Sequence, residues 1–97
     1  MTEYSPASPT ILTPIASPPW PCPCCGFLTL ADPPPGTYDI CPVCYWEDDP
    51  VQFYDPDHGG GPNAVSLNEA RGNFAKYGAS EERFRQNVRP PRPAERP

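Results

Sequence analysis

The clearest periodic stretch of the chain lies late, over residues 66–78. Leu67, Ala70, Phe74 and Tyr77 recur three and four positions apart, which gathers them on one face of a helix. Ser66 with Glu69 reads as a capping box at its start, and Gly78 stands where a left-handed C-cap is wanted. Lys76 in the last turn complements the helix dipole. Gly72 weakens the middle by about 1 kcal/mol relative to Ala, so packing has to support this helix. Upstream, two short β-prone runs, residues 27–30 and 37–40, flank the sequence ADPPPG and predict a hairpin-like connection with a polar surface loop. Tyr45, Trp46, Phe53 and Tyr54 are the aromatic candidates for the core, and residues 80–84 predict a short helical turn that returns Phe84 to the body.

Neither end continues these patterns. Of 18 prolines, positions 6, 9, 14, 18 and 19 fall in the first segment, and the last reads VRPPRPAERP. Proline fixes φ and removes a backbone donor, so neither end suits a helix or an inner strand. The expected organisation is a disordered proline-rich segment over 1–19, a folded body over 20–88 and a disordered basic tail over 89–97. Within the body, residues 20–58 form a ribbon-like part and 66–78 the helix. A body of roughly 70 residues seldom holds together on apolar burial alone and needs a staple.

The cysteines supply it. Cys22-Pro23-Cys24-Cys25-Gly26 is followed, with fifteen residues between Cys25 and Cys41, by Cys41-Pro42-Val43-Cys44-Tyr45. Two C-x2-C turns at this spacing direct four sulfurs at one point about 2.3 Å from each, the layout of a four-cysteine zinc site. Proline after the first cysteine of each pair presets φ for the turn, and Gly26 supplies the positive φ that commonly follows. Tyr45 takes the equivalent place in the second turn and departs from that pattern. The ligand set is Cys22, Cys25, Cys41 and Cys44, with zinc favoured over iron, which the same C-P-x-C knuckles hold in rubredoxins. Cys24 is the spare thiol, read as a packed side chain, with a reactive thiol as the alternative. A lone C-x2-C redox pair is disfavoured by the second pair and by the surrounding prolines.

Charge then narrows the function classes. Residues 1–65 carry Glu3, Asp32, Asp39, Glu47, Asp48, Asp49, Asp55 and Asp57 without one Lys or Arg. Arg71, Lys76, Arg83, Arg85, Arg89, Arg92 and Arg96 all follow. Four thiolates around one divalent cation add two further negative charges, so the metal-bearing half repels phosphate and nucleic-acid binding is not expected. No apolar run approaches the roughly 20 residues that cross a bilayer, and no targeting signal is evident. The odd number of cysteines agrees with a reducing, cytoplasmic setting. Asp48, Asp55, Asp57 and His58 invite a second-metal or hydrolytic reading, against which Asp-Pro-Asp followed by glycines is ordinary turn chemistry.

The segments CPCCG at 22–26, ICPVCYWEDDP at 40–50 and SLNEARGNF at 66–74 together resemble the bacterial cysteine-rich CPCC family, over about residues 20–91. That resemblance implies a bacterial source and a compact metal-binding domain, and implies no reaction. The expectation is a small metal-stabilised α+β protein: zinc-ribbon or rubredoxin-like knuckles with a short β-hairpin, one C-terminal amphipathic helix and proline-rich tails. A closed four-thiolate site leaves no position for substrate, so a non-catalytic module that binds another protein is favoured. The alternatives are a hydrolase or thiol enzyme using the acidic loop or Cys24, and a rubredoxin-like electron carrier.

Overall fold

In the computed structural model, residues 18–97 are described, so most of the expected disordered N-terminal segment lies outside the described residues. The chain then closes twice on itself in the same way. Cys22 donates its N–H to the carbonyl of Phe27 at 2.9 Å and receives the N–H of Gly26 at 2.8 Å. Cys41 repeats this with Trp46 at 2.9 Å and Tyr45 at 2.7 Å. Each knuckle leads into its own antiparallel pairing. β1 (Trp20–Pro21) lies against β2 (Leu28–Leu30), with Trp20 opposite Leu30 and Pro21 opposite Leu28. Around the second knuckle, Tyr38 donates to Asp48 at 2.9 Å, Asp48 donates to Asp39 at 3.0 Å, and Ile40 stands opposite Glu47.

This corrects the expected hairpin. Residues 27–30 do not pair with 37–40; each run pairs across the knuckle it adjoins. Each knuckle spans six residues, as many as the connection 31–36, so length does not decide; the knuckles are favoured because Cys22 and Cys41 each close one with two backbone hydrogen bonds. Three successive prolines, Pro33, Pro34 and Pro35, also deny that connection the amides a tight turn uses.

A short helix follows the second knuckle where a loop was expected. α1 (Pro50–Tyr54) starts with Pro50 in its first turn, and the Asp49 carboxylate caps it by accepting the N–H of Gln52 at 2.9 Å. α2 (Leu67–Tyr77) agrees with the sequence reading. Ser66 Oγ accepts the N–H of Glu69 at 3.1 Å, and Gly78, at φ 77°, donates to the carbonyl of Phe74. Leu67 and Ala70 are buried, and Phe74 meets Phe27 edge-on with centroids 6.1 Å apart. Of the four aromatic core candidates only Trp46 is fully buried; Tyr45 and Phe53 are half-buried and Tyr54 is exposed. The core is therefore largely sulfur: Cys22, Cys24, Cys41 and Cys44 with Val43, Trp46, Leu67 and Ala70.

Beside it lies a buried amide pair. The Asn63 carboxamide donates to the carbonyl of Glu47 at 2.8 Å and accepts its N–H at 2.9 Å, standing in for a peptide group of a third strand. Asn63 Nδ2 also donates to Gln52 Oε1 at 2.9 Å. Gln52 Nε2 in turn reaches the carbonyls of His58, Asn63 and Val65 at 3.0, 3.1 and 3.0 Å. These bonds hold the glycine-rich loop at 59–61 against α1.

The C-terminal end differs from the expected disordered tail. After a 3-10 turn over Glu82–Phe84, which sets the Phe84 ring 4.6 Å from that of Tyr45, Arg89 donates its N–H to the carbonyl of Pro42 at 3.1 Å. A second 3-10 turn, Pro93–Glu95, lies beside β2. Its Glu95 carboxylate takes both guanidinium nitrogens of Arg89, at 2.8 and 2.7 Å, and the N–H of Arg92 at 2.8 Å. A fixed bidentate fork serves a proline-rich segment well, because it needs few backbone donors. The Arg89 contact first, then the Arg92 amide, pull the Glu95 carboxyl down to about 2. A depressed carboxyl stabilises the docked tail above its unfolded value and loses that contribution as pH falls toward the folded one. Docking is therefore expected to be unchanged from pH 6 to 8, while Glu95→Gln at neutral pH frees the tail. Amide hydrogen exchange at Arg92 and Arg96 checks both.

Candidate metal centre

The two knuckles face each other so that their sulfurs interleave. Cys22 Sγ lies 3.6 Å from Cys44 Sγ, and Cys25 Sγ lies 3.7 Å from Cys41 Sγ. All four sulfurs lie within 4.8 Å of one another, and none of the five cysteines forms a disulfide. A tetrahedron with metal–sulfur bonds of about 2.3 Å requires sulfurs about 3.8 Å apart, so the set fits a thiolate-bound metal ion. Cys41 and Cys44 are fully buried, Cys22 nearly so, and Cys25 is partly exposed.

Packed this closely, the thiols do not ionise independently. Cys41 is held far below the ordinary thiol range by hydrogen bonds from Cys22, then Cys25 and Cys44, with Thr29 adding to them against burial. Cys22 is pushed up through its contacts with Cys25 and Cys41. Cys44 is pushed up chiefly by Cys22 and then by Cys24. Contact with Cys22 draws Cys25 down, yet Cys41, Cys44 and burial leave it raised overall. The four thiols thus compete for charge at close range. A divalent cation at the centre lets all four exist as thiolates.

The backbone beneath the sulfurs carries a measurable asymmetry. Gly26 has φ 80° and Tyr45 has φ 72°, so the departure seen in the sequence keeps the same left-handed turn with a side chain in it. Tyr45 offsets that strain by packing its ring against Phe84 at a tilt of 46°, and the Arg83 guanidinium sits over the Phe84 ring at 4.3 Å. A Cβ added at Gly26 meets nothing within 4 Å, so Gly26→Ala isolates the backbone cost. That substitution is expected to lower stability by about 1 kcal/mol without displacing the metal, as read by urea unfolding of the metal-loaded protein.

Thr29 is a site residue that sequence reasoning missed. Its Oγ1 lies 3.1 Å from Cys41 Sγ, in position to donate to the thiolate. The available signal was a lone hydroxyl in an otherwise apolar strand run, four residues after Cys25. Outer hydrogen bonds of this kind commonly change metal affinity about 10- to 100-fold. Thr29→Val, nearly isosteric, is expected to weaken metal retention toward the lower end of that range, measured by competition with a chromophoric chelator.

The remaining candidates are dispersed. Cys24 is buried in the core beside the cluster, 8% exposed, and is not one of the four converging sulfurs. Asp48 is buried and accepts the Thr37 N–H at 2.9 Å, Asp49 caps α1, and Asp57 accepts from Asn68 at 2.9 Å. Asp55 and His58 are exposed. Among the described residues the four cysteines form the one close group of three or more metal-ligating side chains, so the acidic loop does not assemble a second cluster. No helix of the described residues is long and apolar enough to cross a membrane.

Compared with known proteins, residues 20–95 match the sequence model of a family described as Cysteine-rich CPCC. The match takes in both knuckles, both helices and the docked C-terminal turn. No curated protein gives a significant match.

Proposed function

The chain belongs to the cysteine-rich CPCC family, and from that premise we propose that it is a cytoplasmic, zinc-ribbon-like protein whose single zinc is structural and whose role is to bind another protein. The observation that carries this reading is the convergence of Cys22, Cys25, Cys41 and Cys44 within 4.8 Å, free of disulfides and in the middle of the core. Four protein thiolates fill a tetrahedral ion, leaving no place for an activated water or a substrate. The burial of Cys24 and the structural engagement of Asp48, Asp49 and Asp57 count against the thiol-enzyme and hydrolase alternatives. Zinc is preferred because a site inside the main core suits an ion with no redox chemistry of its own.

Purification without added metal, followed by elemental analysis and native mass spectrometry, tests the metal. One zinc per chain is the expected result; one iron with red colour makes the protein an electron carrier. A metal-free chain with a C-x2-C disulfide overturns the reading. Capture of proteins by the zinc-loaded chain, with chelator-treated chain as control, tests the binding role. Equal capture by both, or none by either, removes it.

A further inference from the structure

We propose that the face formed by residues 38–40 and the outward side of α1 receives an extended, basic segment of a partner protein. The inference rests on the protein-binding role above and names the surface and the partner chemistry for it. The large apolar side chains left exposed among the described residues are Tyr38, Ile40, Val51 and Tyr54, at 58, 48, 56 and 75%. They belong to adjoining elements. The Tyr38 amide bonds to Asp48, Gly36 lies against Pro50, and α1 begins at Pro50. Val51 and Tyr54 are three apart and share one face of that helix.

The main chain at this face is open on one side. The ladder bonds around Ile40 and Glu47 run from Cys41 to Trp46 and from Asp48 to Asp39, so the amide and carbonyl of Ile40 and of Glu47 point away from each other. On the Glu47 side, the Asn63 carboxamide takes both groups. On the Ile40 side no main-chain pairing is made among the described residues. An extended segment entering there gains two backbone hydrogen bonds and reaches the aromatic and aliphatic side chains alongside.

Charge selects the occupant. Asp39 lies within this face, Glu47 is the cross-strand partner of Ile40, Asp55 is the C-cap of α1, and residues 1–65 hold no Lys or Arg. A Lys- or Arg-bearing segment is attracted by these carboxylates and finds the rings of Tyr38 and Tyr54 for its cations. A second copy's basic tail fits poorly. Pro90, Pro91, Pro93 and Pro97 lack the N–H a strand addition uses, and Arg89 is already held by Glu95.

The test uses the full, zinc-loaded, 15N-labelled chain and a synthetic peptide of about eight residues alternating Arg and Val, with a Glu/Val peptide as control. The expected result is amide shifts confined to residues 38–40 and 51–54, with binding about fivefold weaker at physiological than at low salt. The exposed double substitution Val51→Ser with Tyr54→Ser is expected to cut affinity about tenfold while leaving the spectrum folded. Shifts centred on α2 or the C-terminal turn, equal binding of the acidic peptide, or no shifts at millimolar peptide overturn this face. So does light scattering that finds a dimer disrupted by the same double substitution. Capture by the zinc-loaded chain alongside any of these results leaves the binding role standing and moves it to another surface.

Discussion

Cys44→Ser is expected to unfold the domain, not simply to weaken its hold on metal. A folded body of this size supplies only about 3–5 kcal/mol from its own core. Here that core is unusually poor in hydrocarbon, since Cys22, Cys24, Cys41 and Cys44 occupy positions that Leu or Ile fill elsewhere. Structural zinc in small domains contributes an apparent 10–16 kcal/mol or so, far more than the margin it sustains. Serine is a poor zinc ligand, and its introduction leaves three thiols crowded in a buried pocket without the cation that reconciles them. Amide spectra of Cys44→Ser in the presence of zinc should collapse to narrow dispersion, as should those of the native chain with excess chelator. Cys24→Ser is the control. It lies outside the converging set, so it should keep both metal and fold, at a cost of about 1–2 kcal/mol for a hydroxyl in the core. A well-dispersed spectrum from Cys44→Ser would show that hydrocarbon packing suffices and that the metal is an accessory.

The second large effect is expected from a residue with no contact to sulfur. Gln52→Leu preserves size and apolar packing but withdraws the donor shared by three carbonyls, those of His58, Asn63 and Val65, and the acceptor used by Asn63. Leaving buried polar groups unpaired costs about 1–3 kcal/mol each, and the loop can recover part of this by opening to water. A net loss of about 3 kcal/mol in urea unfolding of the metal-loaded protein is therefore expected. Asn63→Ala should lose a comparable amount, and the double variant should lose well under the sum, because the two amides serve one network. Additive losses would mean that the two side chains act separately.

These two expectations mark the boundary of what the chain alone discloses. The candidate site was legible because ligand chemistry is local: each C-x2-C needs only its own turn, and proline after the first cysteine declares that turn. The main helix was legible for the same reason, through Ser66 and Gly78. Pairing of 27–30 was misread because strand propensity names no partner; the closure made by Cys22 and Phe27 decides it. α1 is too short to show a period, although Asp49 before Pro50 carried its cap and first turn. Gln52 and Asn63 look like surface residues in any composition scale. Their burial follows only once Glu47 is seen to have a peptide group turned away from Ile40. The ordered C-terminal turn was hidden by the same prolines that make it cheap to fix, since the Arg89–Glu95 fork does the holding.

The self-contained nature of each knuckle has a topological consequence. The main-chain bonds that close each knuckle lie within residues 18–31 and within 37–49, and Gly36 of the proline-rich connection lies beside Pro50. The pieces are joined by shared sulfur with Thr29 on Cys41, by the Phe27–Phe74 contact, by the reach of Arg71 to the carbonyl of Pro23 at 3.0 Å, and by the C-terminal turn, which lies beside β2 while Arg89 donates to Pro42. Bound metal would thus serve as a crosslink between two fragments rather than as a filling inside one. A backbone cut between Ala31 and Gly36 would pass unnoticed while the ion is bound, and chelation would then release a short peptide from the rest.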